Sequence, residues 1–240
     1  MSMSLPGPRF PRLLLAGLLL WGLAGCQTSP PPAEAPAPPV TVPAEPGVPA
    51  GAETYKVVSE ESLLQILVYR GGAMARLGHN HVIASHHLEG EVFVTQDAVA
   101  TRFDIRLPVN ELTVDEPAMR ESAGADFPPG VPQSARDGTR KNLLSEALLD
   151  GAHHPVIRLR ATDMKLGAEG FDVGVELTLK GQSHIVRVPV RLEHKEGAII
   201  ARGEFGLKQS ELGLKPFSVA MGTLVVLDDM KIRFEISARK

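Results

Sequence analysis

The chain has 240 residues, a formal net charge of −3 and one cysteine. That charge excludes the basic footprint of a nucleic-acid binder, and a single cysteine excludes a disulfide framework or a cysteine-based zinc cluster. Twelve of the 20 prolines lie in the first 52 residues and the only tryptophan is Trp21, so the average composition mixes unlike segments.

The amino terminus carries Arg9 and Arg12, then an apolar run from Leu13 to Trp21, then Leu23-Ala24-Gly25-Cys26. Positive charge, a short apolar core and small residues are secretory signal anatomy. The run is shorter than the roughly 20 residues a permanent transmembrane helix needs. Leu23 to Cys26 resembles the lipobox of bacterial lipoproteins. That resemblance implies a signal peptide over residues 1–25, cleavage before Cys26 and lipid on its thiol. Two or three acyl chains anchor stably where one binds only marginally. In similar lipoproteins an aspartate after the cysteine favours inner-membrane retention; Gln27 stands there instead, which favours the outer membrane. Residues 26–52 then read as the lipidated cysteine and a tether. Nine prolines lie in 27–52; proline removes backbone donors and keeps a chain extended.

From Glu53 the pattern changes to period two, which puts alternate side chains on opposite faces of a strand. Leu63 to Tyr69 and Leu88 to Thr95 read as strands. Phe103, Ile105, Leu107 and Val109 then alternate with Arg102, Asp104 and Arg106. Glu116 to Ala135 has four prolines and little periodicity, and reads as a mobile surface loop. One helix follows. Asp137 or Thr139 can cap it, Leu143, Leu144, Ala147 and Leu148 form its apolar stripe, and Gly151 and Pro155 end it. The stripe suits a cover over a barrel mouth.

The remaining strands alternate more strictly. Ile157, Leu159 and Ala161 are interleaved with arginines. Phe171, Val173, Val175, Leu177 and Leu179 form one face, and Val186, Val188, Val190 and Leu192 another. Ala198 to Leu207 is less regular, and Met230, Ile232, Phe234 and Ile236 close the series. Turn signals at 167–170, 180–182 and 196–197 join them as antiparallel hairpins. Residues 53–240 therefore read as one all-β domain with one short helix: an extended, antiparallel, eight-stranded β-barrel. One charged face per strand disfavours a parallel sheet; a two-sheet sandwich is the competing arrangement. A barrel of this size holds packed side chains or one small ligand. Sequence leaves both open.

Candidate chemistry is sparse. His79 and His81, spaced i and i+2, could share a strand face and ligate a metal, but a site needs three or more converging donors. His153 and His154 suit a helix carboxyl end. Asp228 and Asp229 read as solvated loop acids. There is no nucleophile elbow, P-loop or dinucleotide fingerprint, so nothing points to an enzyme or to a cofactor.

The order of features is informative as a whole. It runs from Tyr55-Lys56-Val57-Val58 through Gly78 to His81 and Leu88-Glu89-Gly90-Glu91-Val92. Leu148-Leu149-Asp150 and His154-Pro155-Val156-Ile157 follow. Then come Glu176-Leu177-Thr178-Leu179-Lys180-Gly181, Gly203-Glu204-Phe205-Gly206 and Val226 to Phe234. Over residues 53–240 this resembles the YceI-like family of periplasmic polyisoprenoid-binding proteins. The resemblance implies a lipocalin-like barrel that binds and carries an isoprenoid-type lipid, quinone-like or polyprenyl, without catalysis. It matches His81, Gly181, Phe205 and Gly206 to family positions. Residues 116–135 look like an insertion. Inward residues expected to line a cavity are Phe103, Ile105, Leu107, Phe171, Val173, Val175, Leu177, Val188, Val190, Ile232 and Phe234. The rival expectations are a metal-binding envelope protein using His79 and His81, and a tethered interaction module with a solid core.

Overall fold

The computed structural model describes residues 48–195 and 197–240. The segment read as a signal peptide, Cys26 and the expected tether up to residue 47 lie outside the described residues.

Twelve strands form one antiparallel sheet: β1 (Glu53–Val57), β2 (Leu63–Gly71), β3 (His81–Ser85), β4 (Glu89–Val94), β5 (Arg102–Pro108), β6 (Thr113–Val114), β7 (Val156–Gly167), β8 (Gly170–Leu179), β9 (Gln182–Lys195), β10 (Ala198–Lys208), β11 (Ser218–Val219) and β12 (Leu224–Arg239). Pairing runs β1-β4-β5-β7-β8-β9-β10-β12, and β12 returns to β1 through Lys56 opposite Arg239. That ring of eight is the expected barrel, and closure removes the exposed edges an open sheet would present. Among the described residues no helix is long and apolar enough to cross a membrane.

Of the four extra strands, β11 pairs with β12, and the other three arise because three staves are broken. β1 and β2 lie successively along β12, separated by a short 3-10 turn at Ser59–Glu61. β3 and β4 are separated by residues 86–88, and β5 and β6 by a 3-10 turn at Val109–Glu111. The broken ends β2, β3 and β6 pair with one another rather than with β7, so the wall parts beside β6.

Two helices occupy this region, where the sequence predicts one. α1 (Pro117–Ala123) begins with proline at a position where its missing N–H costs no helix bond. It lies in the stretch expected to be a mobile loop. Instead this stretch packs on the outside of the barrel: Leu67, Val82 and Phe127 form a second core, flanked by Tyr69, Met119 and Ala123. Tyr69 and Phe127 meet edge to face, ring centroids 5.4 Å apart. α2 (Gln133–Leu144) starts four residues earlier than the earlier candidate cap, Asp137, with Pro132 at its cap position and no side-chain cap. Asp137 and Thr139 lie inside it, bonded to Gln133 and facing His81 respectively. The two-residue cap signal misleads because Asp and Thr were bonded within the fold, not to helix N–H groups.

The outer face of β7–β12 is charged because charges pair across strands at matched register. Arg160 sits opposite Glu176, Arg202 opposite Glu235, and Glu204 opposite Arg233; each pair is an ion pair. The inner face is apolar, and its alternation shifts once. A bulge between Ala161 and Asp163 moves the inward set of β7 from Ile157, Leu159 and Ala161 to Met164.

Candidate functional site

The inner faces enclose a cavity of about 590 Å³. That volume falls in the range of roughly 300–1,000 Å³ typical of small-molecule sites. Its wall is overwhelmingly aliphatic. The wall includes Phe103, Ile105, Leu107, Val173, Val175, Leu177, Val188, Val190, Ile232 and Phe234. Phe171, at the start of β8, packs against the inner-face core and borders a depression shared with Val190, Gly203, Arg233 and Phe234. The lumen is open rather than solid. Phe234 keeps its place because Gly203 opposite has no side chain; a Cβ there would fall 2.5 Å from the Phe234 ring.

Polar groups lie at the two ends. Thr95, Gln96 and His194 border one, and Arg70, His79, His81, Thr139 and Asn142 the other. At the second end α2 contributes Thr139, Asn142 and Leu143 to the lumen wall, as a cover over this mouth would.

His81 is held through both ring nitrogens at this end. Its Nδ1 lies 2.6 Å from Asp115 Oδ2 and its Nε2 3.2 Å from Thr139 Oγ1. The Asp115 carboxylate accepts from Nδ1–H, so in the neutral ring Nε2 is left to accept from the threonine hydroxyl. Asp115 is almost fully buried and adopts a left-handed backbone, φ +55°. Its Oδ1 accepts the Val82 N–H at 2.9 Å and Arg120 Nη1 at 2.6 Å. Arg120, also buried, donates to the carbonyls of Asn80 and Pro128. Burial pushes the Asp115 carboxyl up, but hydrogen bonds from His81, Val82 and Arg120 outweigh it and hold it below the usual carboxylate range.

Sequence reasoning missed Asp115 and Arg120, and read Thr139 only as a helix cap. The usable signal was Glu116-Pro117, which marks a helix start rather than a loop. Arg120 then falls one turn into that helix, within reach of Asp115.

His79 is not on a strand; it precedes β3. Its ring stands edge to face with His81 at 6.1 Å. Burial first, then the neighbouring His81, Arg120 and Arg70 side chains, pushes its pKa down. Among the described residues no group of three His, Cys, Asp or Glu could hold a metal, and His81 Nδ1 is already taken by Asp115. His153 bonds Asp150 at 2.8 Å rather than carbonyls of α2, which ends at Leu144. Asp228 accepts the Ser210 N–H and hydroxyl beside a bulge of β12. Gly181, with Lys180, makes the left-handed two-residue turn between β8 and β9, φ +72° and +50°. Phe205 lines the lumen, and a side chain at Gly206 would meet no neighbour within 4 Å.

Among solved structures the chain is similar to Burkholderia cenocepacia BcnA, with 13% identity and a TM-score of 0.55 over 75% of this chain and 98% of that one. A Campylobacter jejuni YCEI protein aligns at 11% identity and a TM-score of 0.44, over 64% of this chain and 81% of that one. A comparison with curated proteins finds no match. The model of the YceI-like domain matches residues 55–238. That match spans the barrel from β1 to the end of β12, and the chain accordingly belongs to the YceI-like family, whose members bind and carry ligands without catalysing a reaction.

Proposed function

We propose that this protein binds and carries an isoprenoid-type lipid in the barrel lumen within the bacterial cell envelope. The observation that carries the reading is the aliphatic cavity of about 590 Å³. Each CH₂ moved into such a wall gains roughly 0.8 kcal/mol, so a long apolar tail needs few directional contacts. The polar end of the ligand lies at the α2 end of the lumen. There His79, His81, Thr139 and Asn142 are grouped at the wall, and Asp115 fixes the His81 ring. The lumen residues named from sequence form the tail site, and the Asp115–Arg120 pair sets the geometry of the head site. Cys26 carries the lipid anchor, residues 27–52 space the barrel from the membrane, and the outer membrane is the favoured location.

The test is direct. The Cys26→Ser chain is purified from a membrane-containing extract, extracted with organic solvent and examined by mass spectrometry. A stoichiometric isoprenoid lipid is expected. Val175→Trp with Val188→Phe fills the lumen and should lose that lipid while keeping the β-sheet circular dichroism. A chain that retains no lipid, or filled and unfilled chains with the same lipid content, would overturn the reading. Cys26 is tested separately by fractionating cells that express Cys26→Ser; unchanged membrane association would remove the anchor.

A further inference from the structure

The two ends of the barrel differ in what they show to solvent. At the α2 end, the β2–β3 connection and the segment from Gly213 to Leu227 lie side by side. The Met74 N–H donates to the Thr223 carbonyl at 2.8 Å, and Gly78 abuts the Leu224 side chain. Together they expose Met74, Leu77, Phe217, Val219, Met221 and Leu227. Met221 is wholly exposed, and both it and Ala220 hold left-handed backbone, φ +53° and +49°. Non-glycine residues adopt that conformation at a cost, and such strain gathers at working surfaces. Single exposed apolar residues are ordinary, whereas a contiguous group marks a contact surface.

The same two segments, 70–80 and 213–227, contain Arg70, Arg76 and Lys215 and no acidic residue, in a chain of net charge −3. Among the described residues neither Arg76 nor Lys215 has an acidic partner. At the opposite end two exposed ion pairs neutralise their charges: Arg191 with Glu169, and Lys240 with Glu53. The lumen reaches the apolar end, because exposed His79 and Phe217 are part of its wall.

We propose that this apolar, basic lip docks on an anionic lipid bilayer and brings the mouth of the lumen to the membrane surface. Its apolar side chains enter the interface while the cations meet lipid phosphates, the pairing of forces that holds interfacial proteins. An acidic protein would otherwise be repelled from such a surface; the charge asymmetry fixes which end approaches. The inference goes beyond the cargo reading and does not depend on which lipid is carried.

Cys26 is the only cysteine, so Cys26→Ser gives a background for single-site labels. A polarity-sensitive fluorophore is placed at Met221→Cys, at Leu77→Cys as a second lip position, and at Leu166→Cys, an exposed apolar residue at the opposite end. Vesicles of phosphatidylglycerol and phosphatidylcholine are then added. The lip labels should brighten and shift to the blue, and the 166 label should not. Arg76→Glu with Lys215→Glu should weaken vesicle affinity roughly tenfold or more, and high salt should do the same. The segment Leu13 to Trp21 is common to all labelled chains, so its own affinity for vesicles cancels in the difference between labels. Silent lip labels, equal responses at both ends, or indifference to charge and salt would each overturn the proposal. A lip that responds on a chain without extractable lipid would leave docking standing and remove the cargo reading; a silent lip on a lipid-loaded chain would do the reverse.

Discussion

The barrel has two unlike halves. From β7 to β10, joined by hairpins, and in β12 beside them, long strands carry aliphatic residues inward and paired charges outward. From β1 to β6 the staves are broken, and the β2–β3 hairpin is covered on its outside by the stretch containing α1 and Phe127. The regular half makes the container. The broken half makes what a container needs in addition: a parted wall, a helix over the mouth, and a buried polar network that positions His81. Breaking a stave frees backbone and side chains from strict alternation, and the loops so released reach back to the lumen.

The largest expected effect lies in the broken half. Arg120→Ala leaves the Asp115 carboxylate buried without its cation, and should cost about 3–5 kcal/mol in denaturant unfolding. A loss of under 1 kcal/mol would mean that the network is incidental to the fold.

Next come two phenylalanines that differ in surroundings. Phe127→Ala removes a fully buried side chain from the outer core and should cost roughly 3–5 kcal/mol. Phe234→Ala widens a lumen that is already open and should cost clearly less, its effect appearing in ligand content instead. Equal losses from the two would erase the distinction between packed core and open lumen.

Acid sharpens the comparison further. Asp115 has a folded pKa below its unfolded value of about 3.9. Its contribution to stability is therefore complete above pH ~4 and is lost as pH falls through the lower folded pKa. In urea titrations below pH ~4, Asp115→Asn should lose stability with a shallower slope than the parent chain. Parallel slopes would show that Asp115 is not held in the way the geometry indicates.

The smallest effect belongs to the regular half's exterior. Glu204 pairs with Lys231 and Arg233 in solvent. Glu204→Gln should shift stability by no more than about 0.5 kcal/mol. A larger loss would make the outer charge lattice a structural element rather than a solvated face.

Legibility followed the same division. Phe171 to Leu179 and Val186 to Leu192 announced their faces because one side meets the lumen and the other meets water. Leu67 and Val82 did not. They point away from the lumen yet are buried, since Phe127 and Met119 cover them from outside, and two-sided burial erases alternation. Residues 116–135 looked loop-like for a related reason: prolines at 117, 128, 129 and 132 hid a seven-residue helix and a buried phenylalanine. His81 could be singled out from sequence. Its partner Asp115 could not, because 34 residues separate them and only the pairing of β3 with β6 brings them together.

Sequence by itself determined the elements: period-two alternation and hairpin turns, both local, give an antiparallel all-β domain. The pairing of β1 with β12 decided for the barrel over the sandwich, because closure joins segments far apart in the chain. Tertiary structure decided that the interior is open, because a row of aliphatic side chains reads identically whether it meets an opposite wall or faces a space. It also decided which end gathers the polar mouth and the apolar lip, since both are assembled from segments that only closure of the barrel places side by side.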